Sequence, residues 1–567
     1  MTLAAEAAPR LSRPPRDGGR WLAAGVAIAC LTLAPVAGLV GLAARGSGDL
    51  WPHLAAYVLP RAAWETLQLL AGVGLVTAVV GVGTAWLVVA YRFPGRKIFE
   101  WALLLPLAMP TYIAAFAYLD LTHPIGPIQT TLRALLGITD VRGLWFPEIR
   151  SMGGCVLLLG AVLYPYVYLT TRGLFLMQSS ATLEAARTLG AGGLRTFLTV
   201  ALPLARPAIA VGVSLALMEA LNDIGAAEFL GVRTFTVAIY STWVNRSSVE
   251  GAAQIALVMI ALVLALVALE RWARRRQGVA GEARAARRSE PRDLGALSQT
   301  GCVLACAAPI ALGFVAPAAY LAHAAAVRIA AFGVPPQIYG EIARTLGFAL
   351  IATTIAAALG FVLAYAARVR RGLPARAAQV AAGVGYAMPG TVLAVGLLTP
   401  LAGFDNMVDG VARQALGIST GLLISGSGAA LIFAYVVRFL AIPSGGVDAG
   451  LAKIPLSLDH AARTLGARPA AVARALHLPL AAPALGAAAL LVFVDCMKEL
   501  SATLLLRPLN FETLATHVYG EAARGTYESG AVAALAIVLV GLAPVALIAR
   551  ASSRNRPASA EELGVAP

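Results

Sequence analysis

The sequence has little charge for its length. Only 13% of its 567 residues are Asp, Glu, Lys or Arg, about half of the roughly 25% that soluble domains carry. Hydrophobic residues make up 59% of the chain and lie in long uncharged runs, and the mean hydropathy is +0.77. Since about 20 apolar residues span the hydrocarbon core of a bilayer, this composition excludes a water-soluble protein and predicts many membrane crossings.

Cysteine is also scarce. The five cysteines lie in apolar stretches rather than in loops, which excludes a disulfide framework. Cys302 and Cys306 are one helical turn apart, but no His or acidic residue is near them in sequence, so buried packing is the better interpretation. We therefore expect no tightly bound metal and no cofactor on this chain.

The uncharged runs predict an all-α polytopic membrane protein, because backbone groups cannot stay unpaired in hydrocarbon. The period-2 alternation of a membrane β-barrel is absent. Residues 21–44 are longer than the apolar core of a signal peptide and are expected to form a first membrane anchor. The twelve predicted spans are 21–44, 66–91, 101–119, 151–171, 207–223, 252–269, 301–322, 345–367, 377–401, 420–437, 483–500 and 531–548.

Basic residues alternate from one side of these spans to the other. If the N-terminus is cytoplasmic, 31 of the 44 Lys and Arg residues lie in segments that face the cytoplasm. This positive-inside bias predicts a multi-pass membrane protein with both termini in the cytoplasm, and it explains the net charge of +15 without nucleic acid. The basic segment 270–300 is expected to be a solvated linker, and a polybasic lipid-binding patch is the alternative.

The two halves of the chain resemble each other. The six residues Ala186–Ala191 recur as Ala462–Ala467, 276 positions later, and Ala-Met-Pro at 108–110 recurs at 387–389. Each half holds six predicted spans, an even number, so the copies are parallel repeats about an axis along the membrane normal. The predicted organisation is an N-terminal tail 1–20, a first repeat 21–269, a basic linker 270–300, a second repeat 301–548 and a C-terminal tail 549–567.

The repeated six residues lie in two long loops, which we name the first repeat loop (172–206) and the second repeat loop (438–482). Gly190 is a permissive position that can end a short helix, and Pro203 and Pro207 favour the start of the next one. The pattern therefore predicts a short helix, a bend and a second helical element along the inner membrane face. A bent interface helix without a partner is the alternative interpretation.

The pattern Glu-Ala-Ala, three residues, Gly, nine residues, an aliphatic residue, one residue and Leu-Pro resembles the EAA loop of ABC-importer permeases. The segments Leu221–Gly225 and Met497–Pro508 are similar to those of fused permeases for ferric iron, and thiamine and aminophosphonate permeases have similar loops. The second repeat loop departs from the family pattern, because His460 stands where Glu is usual and Asp459 precedes it.

This resemblance implies a type I importer permease of the bacterial inner membrane that is not itself an enzyme. It implies two copies of a cytosolic ATPase, which use the ATP, and a separate binding protein that captures substrate outside the membrane. The chain contains no G-x-x-x-x-G-K-[ST] phosphate-binding loop of its own. The residues expected to dock the ATPases are Glu184, Ala185, Ala186, Gly190, His460, Ala461, Ala462 and Gly466.

Four acidic residues fall within or at the ends of predicted spans. Glu219 corresponds to Asp495 and Asp223 to Glu499, each pair 276 positions apart. Ionisable groups at the centre of a membrane span cost about 2.5–3.5 kcal/mol each, so they are candidates for the translocation pathway. Their carboxylates would attract a hard cation such as ferric iron and hold it weakly, although Asp223 and Glu499 could instead meet water at helix ends.

Substrate and energy source remain open from the residues alone. The resemblance favours ferric iron uptake coupled to ATP hydrolysis and alternating access. A thiamine or aminophosphonate permease is the alternative within the family. A proton-coupled secondary carrier that uses Glu219 and Asp495 is the alternative outside it.

Overall fold

The computed structural model describes residues 18–178, 184, 186, 188–277, 291–370 and 372–554. Within these residues the fold is helical apart from one pair of two-residue parallel strands, β1 (Tyr91–Arg92) and β2 (Arg292–Asp293). The predicted all-α polytopic fold is confirmed. The described helices are α1 Gly18–Arg45, α2 Leu50–Ala90, α3 Arg96–Ala108, α4 Thr111–Leu121, α5 Pro127–Leu136, α6 Met152–Met177, α7 Gly193–Asn222, α8 Gly225–Phe229, α9 Phe235–Val244, α10 Val249–Gln277, α11 Ala296–Phe332, α12 Pro336–Val369, α13 Leu373–Ala387, α14 Gly390–Leu416, α15 Ala429–Phe439, α16 Ala441–Ala452, α17 Leu456–Thr464, α18 Pro469–Met497, α19 Ser501–Leu506, α20 Leu514–Arg524 and α21 Tyr527–Arg554.

Ten of the described helices are long and apolar enough to cross a membrane, or up to twelve spans if each bent helix pair is one. The two bent pairs are α3 with α4, at 90°, and α15 with α16, at 42°. The predicted twelve spans agree with the upper number. Several helices begin earlier or end later than predicted, as in α7 and α18, because amphipathic turns extend the helix beyond its uncharged core. The predicted span 377–401 is wrong in its bounds, because the chain breaks between α13 and α14 and the helix long enough to span is α14.

Both Ala-Met-Pro elements interrupt the helical path. In the first repeat α3 ends at Ala108 and α4 begins at Thr111, and in the second α13 ends at Ala387 and α14 begins at Gly390. The extended backbone of Pro110, with φ −60° and ψ 138°, is not helical. Proline removes a backbone donor and clashes with the preceding turn, so each element starts a new helix with its own first turn.

The repeats share backbone details that the sequence leaves hidden. A π-helical turn lies in α7 at Phe197–Ala201 and in α18 at Ala473–His477, 276 residues later. Thr234 caps α9 and Thr513 caps α20, each accepting a hydrogen bond from the backbone N–H three residues on. These coincidences support the internal duplication independently of residue identity.

The chain divides into two compact units, each described here by itself. The smaller unit comprises residues 18–36, Phe348–Tyr386 and Ile432–Cys496, and it contains α16, α17 and most of α12, α13 and α18. The larger unit comprises Ala37–Gly347, Ala387–Leu431 and 497–554. The two units are groups of residues in mutual contact, whereas the repeats are segments of similar sequence. The predicted repeat boundaries therefore stay predictions.

Helices in the larger unit pack closely through small residues. A Cβ built on Gly81 of α2 would lie 2.7 Å from the Val167 Cβ of α6, so only glycine allows this approach. Tyr164 and Tyr168 are fully buried beside this contact, and Trp86 lies 5.3 Å from Phe175 between ring centroids. Such close approach is how helices associate where no hydrophobic force acts between them.

Candidate functional site

The first repeat loop forms a helical turn that ends at a left-handed glycine. Glu184 and Ala186 are helical, and Gly190 has φ +82°. The N–H of Ala191 donates to the carbonyl of Ala186 at 3.1 Å, which closes the turn as in a Schellman-type helix end. Glu184 is exposed, Ala186 is half-buried, and Ala185 lies outside the described residues.

The second repeat loop has the same backbone. Gly466 has φ +76°, and the N–H of Ala467 donates to the carbonyl of Ala462 at 3.0 Å. His460 and Ala461 of α17 are exposed, and Ala462 is half-buried like its counterpart in the first repeat loop. The predicted helix, bend and second helix are therefore present in the second repeat loop, and the described residues of the first repeat loop show the same bend and second helix.

An exposed leucine precedes each of these glycines. Leu189 and Leu465 are each 87% exposed, at positions 276 residues apart. No atom lies within 4 Å of a Cβ built on Gly190 or Gly466, so the surface around each bend is open. Sequence reasoning missed these leucines, although Thr-Leu-Gly is part of the repeated six residues.

A buried ionic cluster holds the second repeat loop from beneath. Asp459 of α17 is 8% exposed, and its Oδ1 lies 2.7 Å from the Nε2 of His477, which is 1% exposed. Arg368 of α12 donates from Nε to the Asp459 Oδ2 at 3.0 Å, and its other nitrogens donate to the carbonyls of Leu451 and Ile454. Asp459 thus faces inward and His460 is left as the exposed residue.

The first repeat loop lacks this cluster in its sequence. Ala201 stands at the position of His477 and Leu183 at that of Asp459, although Leu183 lies outside the described residues. Gln178 instead donates from Nε2 to the carbonyl of Ala201 at 3.2 Å. The signal for the cluster was an unusual histidine directly before Leu-Pro, which sequence reasoning did not use.

Two of the predicted pathway acids close the first turns of short helices: Asp223 directly follows α7, a helix about 45 Å long at 1.5 Å per residue, and Glu499 follows α18. Asp223 accepts a hydrogen bond from the N–H of Ala226 at 2.7 Å and another from the Thr111 hydroxyl. Glu499 accepts hydrogen bonds from the N–H groups of Ala502 at 2.9 Å and Thr503 at 3.0 Å. The two acids therefore occupy equivalent positions at α8 and α19.

The segment after α7 contacts the second repeat within the larger unit. Asn222 accepts a hydrogen bond at Oδ1 from the N–H of Gly390, at 2.9 Å, and at its carbonyl from Ser501, at 3.1 Å. The Tyr519 hydroxyl donates to Glu228 at 2.7 Å, and its ring stacks on Phe229 with centroids 5.4 Å apart. The two repeats are thus joined at this end of the larger unit.

The other two acids lie one helical turn earlier. Glu219 is half-buried on α7 and Asp495 is half-buried on α18, and each takes part in an interaction. Among the described residues, no three His, Cys, Asp or Glu side chains are grouped to hold a metal ion. The pathway role of the four acids stays a prediction.

Another ionic contact lies in α20, outside the repeat loops. His517 Nδ1 is 3.1 Å from the Oε1 of Glu341. The hydrogen bond with Glu341 raises the pKa of His517 above its ordinary value, and burial partly offsets this increase. This pair offers a comparison for the cluster beneath the second repeat loop.

The chain is similar to known transport proteins. The family model for "Binding-protein-dependent transport system inner membrane component" matches residues 77–279. The "Fe(3+)-transport system permease protein FbpB 2" of Haemophilus influenzae is 25% identical over 85% of this chain and 88% of its own length. The "Molybdenum transport system permease protein ModB" of Escherichia coli is 33% identical over 34% of this chain and 83% of its own length. A "Putative 2-aminoethylphosphonate transport system permease protein PhnU" of Salmonella typhimurium is 32% identical over 33% of this chain and 65% of its own length.

Proposed function

We infer the transported substrate from one premise: the chain belongs to the family of binding-protein-dependent transport system inner membrane components, the permease subunits of ABC importers. It is a polytopic inner-membrane permease and not itself an enzyme. Such a permease works with an ATPase and with a substrate-binding protein. The finer assignments below are proposals built on this premise.

The first proposal concerns docking. Two copies of a cytosolic ATPase bind the two repeat loops, one at each bend. The observation that carries it is the matched pair Leu189 and Leu465, each 87% exposed on the same bent backbone. A large apolar side chain held in solvent at both copies favours burial in a partner. The other docking residues are Glu184, Ala185, Ala186, Gly190, His460, Ala461, Ala462 and Gly466.

The orientation follows from the same proposal. Both repeat loops face the cytoplasm, as do both termini, in agreement with the distribution of Lys and Arg. Binding of ATP closes the ATPases, moves both loops and rocks the repeats between outward and inward access. The contacts of Asn222 and Glu228 with the second repeat then close the pathway at its outer end.

The second proposal is that the substrate is ferric iron. It is supported by the iron permease relative, which aligns over both repeats, whereas the molybdenum and aminophosphonate relatives cover about a third of this chain. It is also supported by the acidic residues Glu219, Asp223, Asp495 and Glu499, since a hard cation prefers carboxylate oxygen. An oxyanion such as molybdate would need hydrogen-bond donors instead of carboxylates.

Transport in proteoliposomes tests the substrate. The permease is reconstituted with a candidate ATPase and a candidate substrate-binding protein, and uptake of radioactive ferric iron is compared with uptake of radioactive molybdate. ATP-dependent uptake of iron alone is expected. Uptake of molybdate alone contradicts the iron proposal and leaves the family assignment intact.

Docking is tested separately with leucine variants. Leu189→Ser and Leu465→Ser are expected to weaken ATPase binding by about tenfold or more each, since a buried leucine contributes about 1.5–3 kcal/mol. Leu509→Ser is the matched control, because Leu509 is 95% exposed in the loop after α19. Equal ATPase affinity for all three variants contradicts docking at the bends.

A further inference from the structure

Two buried hydroxyls at matched positions lack a hydrogen-bond partner within the described part of the chain. Tyr112 and Thr391 each lie two residues after the proline of an Ala-Met-Pro element, 279 residues apart. Tyr112 is 4% exposed and Thr391 is 0% exposed. An unsatisfied buried polar group costs about 1–3 kcal/mol. Its presence in both repeats therefore calls for a functional explanation.

Tyr112 lies against the acidic end of α7. A Cβ built on Gly225 would be 2.5 Å from the Tyr112 Cβ and 3.0 Å from the Leu500 Cδ2, so the three segments are in tight contact. The neighbouring Thr111 donates a hydrogen bond to Asp223. The phenol is also close enough to Glu499 and Asp223 for both charges to act on it.

Thr391 begins α14 at the same junction of the larger unit. The N–H of Gly390, directly before it, donates to Asn222 at 2.9 Å. Helix α14 packs on α19, whose first turn is closed by Glu499. Each proline break is therefore followed by a residue with an unpaired hydroxyl, on a segment that contacts a short helix whose first turn is closed by one of the two carboxylates.

The chemistry of this junction suits a cation that prefers oxygen. Asp223 and Glu499 supply negative charge, and hydroxyl groups supply neutral oxygen atoms, which are ligands for hard metal ions. Neutral oxygens hold such an ion more weakly than a complete set of carboxylates would. Weak binding suits a pathway, because a tightly held ion would leave slowly.

We propose that the Tyr112 and Thr391 hydroxyls are binding groups for a hard trivalent cation in transit, beside Asp223 and Glu499. This inference rests on the proposed function, ferric iron uptake, and names the residues that contact the substrate. It gives the two Ala-Met-Pro breaks a common role.

Isosteric variants test the proposal without removing a hydrogen bond that holds the fold. Tyr112→Phe and Thr391→Val delete only the unpaired hydroxyl. The matched controls are Tyr164→Phe in the apolar core of the larger unit and Thr353→Val in α12, which delete unpaired buried hydroxyls elsewhere. Ferric iron uptake in proteoliposomes, ATPase activity and the midpoint of thermal unfolding are measured for all four.

We expect Tyr112→Phe and Thr391→Val to lower iron uptake about tenfold each, the loss of one interaction of hydrogen-bond strength with a charged group. Their unfolding midpoints should equal or exceed that of the wild type, and the two controls should transport normally. If Tyr112→Phe and Thr391→Val take up as much iron as the controls do, the inference is overturned. Ferric iron transport by the wild type would not be affected by that result. A wild type that transports molybdate and no iron overturns the proposed substrate and this inference together.

Discussion

The two repeat loops share one backbone but differ in what holds it in place. Both end a short helix at a left-handed glycine, Gly190 or Gly466, and both expose a leucine before it. Only the second rests on a buried cluster of Arg368, Asp459 and His477. The two copies therefore share the bend, whereas the contacts that hold the bend in place differ between them.

The difference also changes the charge that each loop presents. The first repeat loop exposes Glu184, whereas the second exposes His460 and uses its carboxylate, Asp459, internally. Two identical ATPases would thus meet different side chains at the two bends. If the ATPases dock at the bends as we propose, the shared apolar contact, and not a shared charge, is what both halves offer them.

The largest expected effect comes from removing the acid at the centre of the cluster. Asp459→Leu leaves the Arg368 guanidinium buried without its carboxylate, and breaking a buried pair in this way costs about 3–5 kcal/mol. The second repeat loop should loosen, so iron transported per ATP hydrolysed should fall severalfold. Thermal unfolding and the transport ratio in proteoliposomes measure the two effects.

A triple variant sharpens the same comparison. Arg368→Met, Asp459→Leu and His477→Ala together replace the cluster with apolar residues, as Leu183 and Ala201 do in the first repeat loop. Replacing a whole buried ion pair with apolar residues is often neutral, so most of the lost stability should return. A triple variant less stable than Asp459→Leu would show that the two loops cannot share one kind of anchor.

The second prediction concerns the glycines that both loops keep. Gly190→Val and Gly466→Val force a β-branched residue into left-handed backbone, which costs about 1–2 kcal/mol at each site. Because the surface around each bend is open, the damage should be to backbone shape and hence to coupling. We expect ATP hydrolysis to continue with less uptake, and the double variant to be the most uncoupled. A double variant with wild-type coupling contradicts the docking role of the bends.

Much of this architecture could be predicted from the sequence, for a physical reason. Long apolar runs fix membrane helices, and Gly190 and Gly466 fix the bends because few other residues adopt that backbone. The cluster beneath the second repeat loop could not be found in this way. Arg368 lies 91 residues from Asp459, and nothing local to either residue indicates the pairing.

The pathway acids show a different limit. Sequence reasoning identified Asp223 and Glu499 as matched charges but not as caps of α8 and α19, because those helices have only five and six residues. Helices this short carry little periodic signal. The unpaired hydroxyls of Tyr112 and Thr391 were also missed, since a lack of partners is a property of the folded chain.

The third prediction exchanges the exposed residues of the two loops. His460→Glu restores the family pattern in the second repeat loop, and Glu184→His places the second loop's residue in the first. Both positions are exposed, so stability should change by less than about 0.5 kcal/mol. If apolar contact carries docking, ATPase affinity should change less than twofold in both variants. A tenfold change in the ATPase affinity of either variant would indicate that charge, and not apolar contact, is the main docking contact.

The smallest effect on coupling is expected from a histidine–carboxylate pair outside both loops. Because the pKa of His517 is raised in the folded chain, its pair with Glu341 stabilises the fold fully below the ordinary histidine pKa and progressively less as pH rises through the folded value. His517→Gln should therefore flatten the fall of the unfolding midpoint between about pH 6 and 8, a window set by the ordinary histidine pKa. Transport per ATP should stay unchanged, whereas Asp459→Leu should lower it. His517→Gln could instead lower the transport ratio as much as Asp459→Leu does. That result would show that the cluster beneath the second repeat loop has no special role in coupling, because loss of any histidine–carboxylate pair would explain both variants.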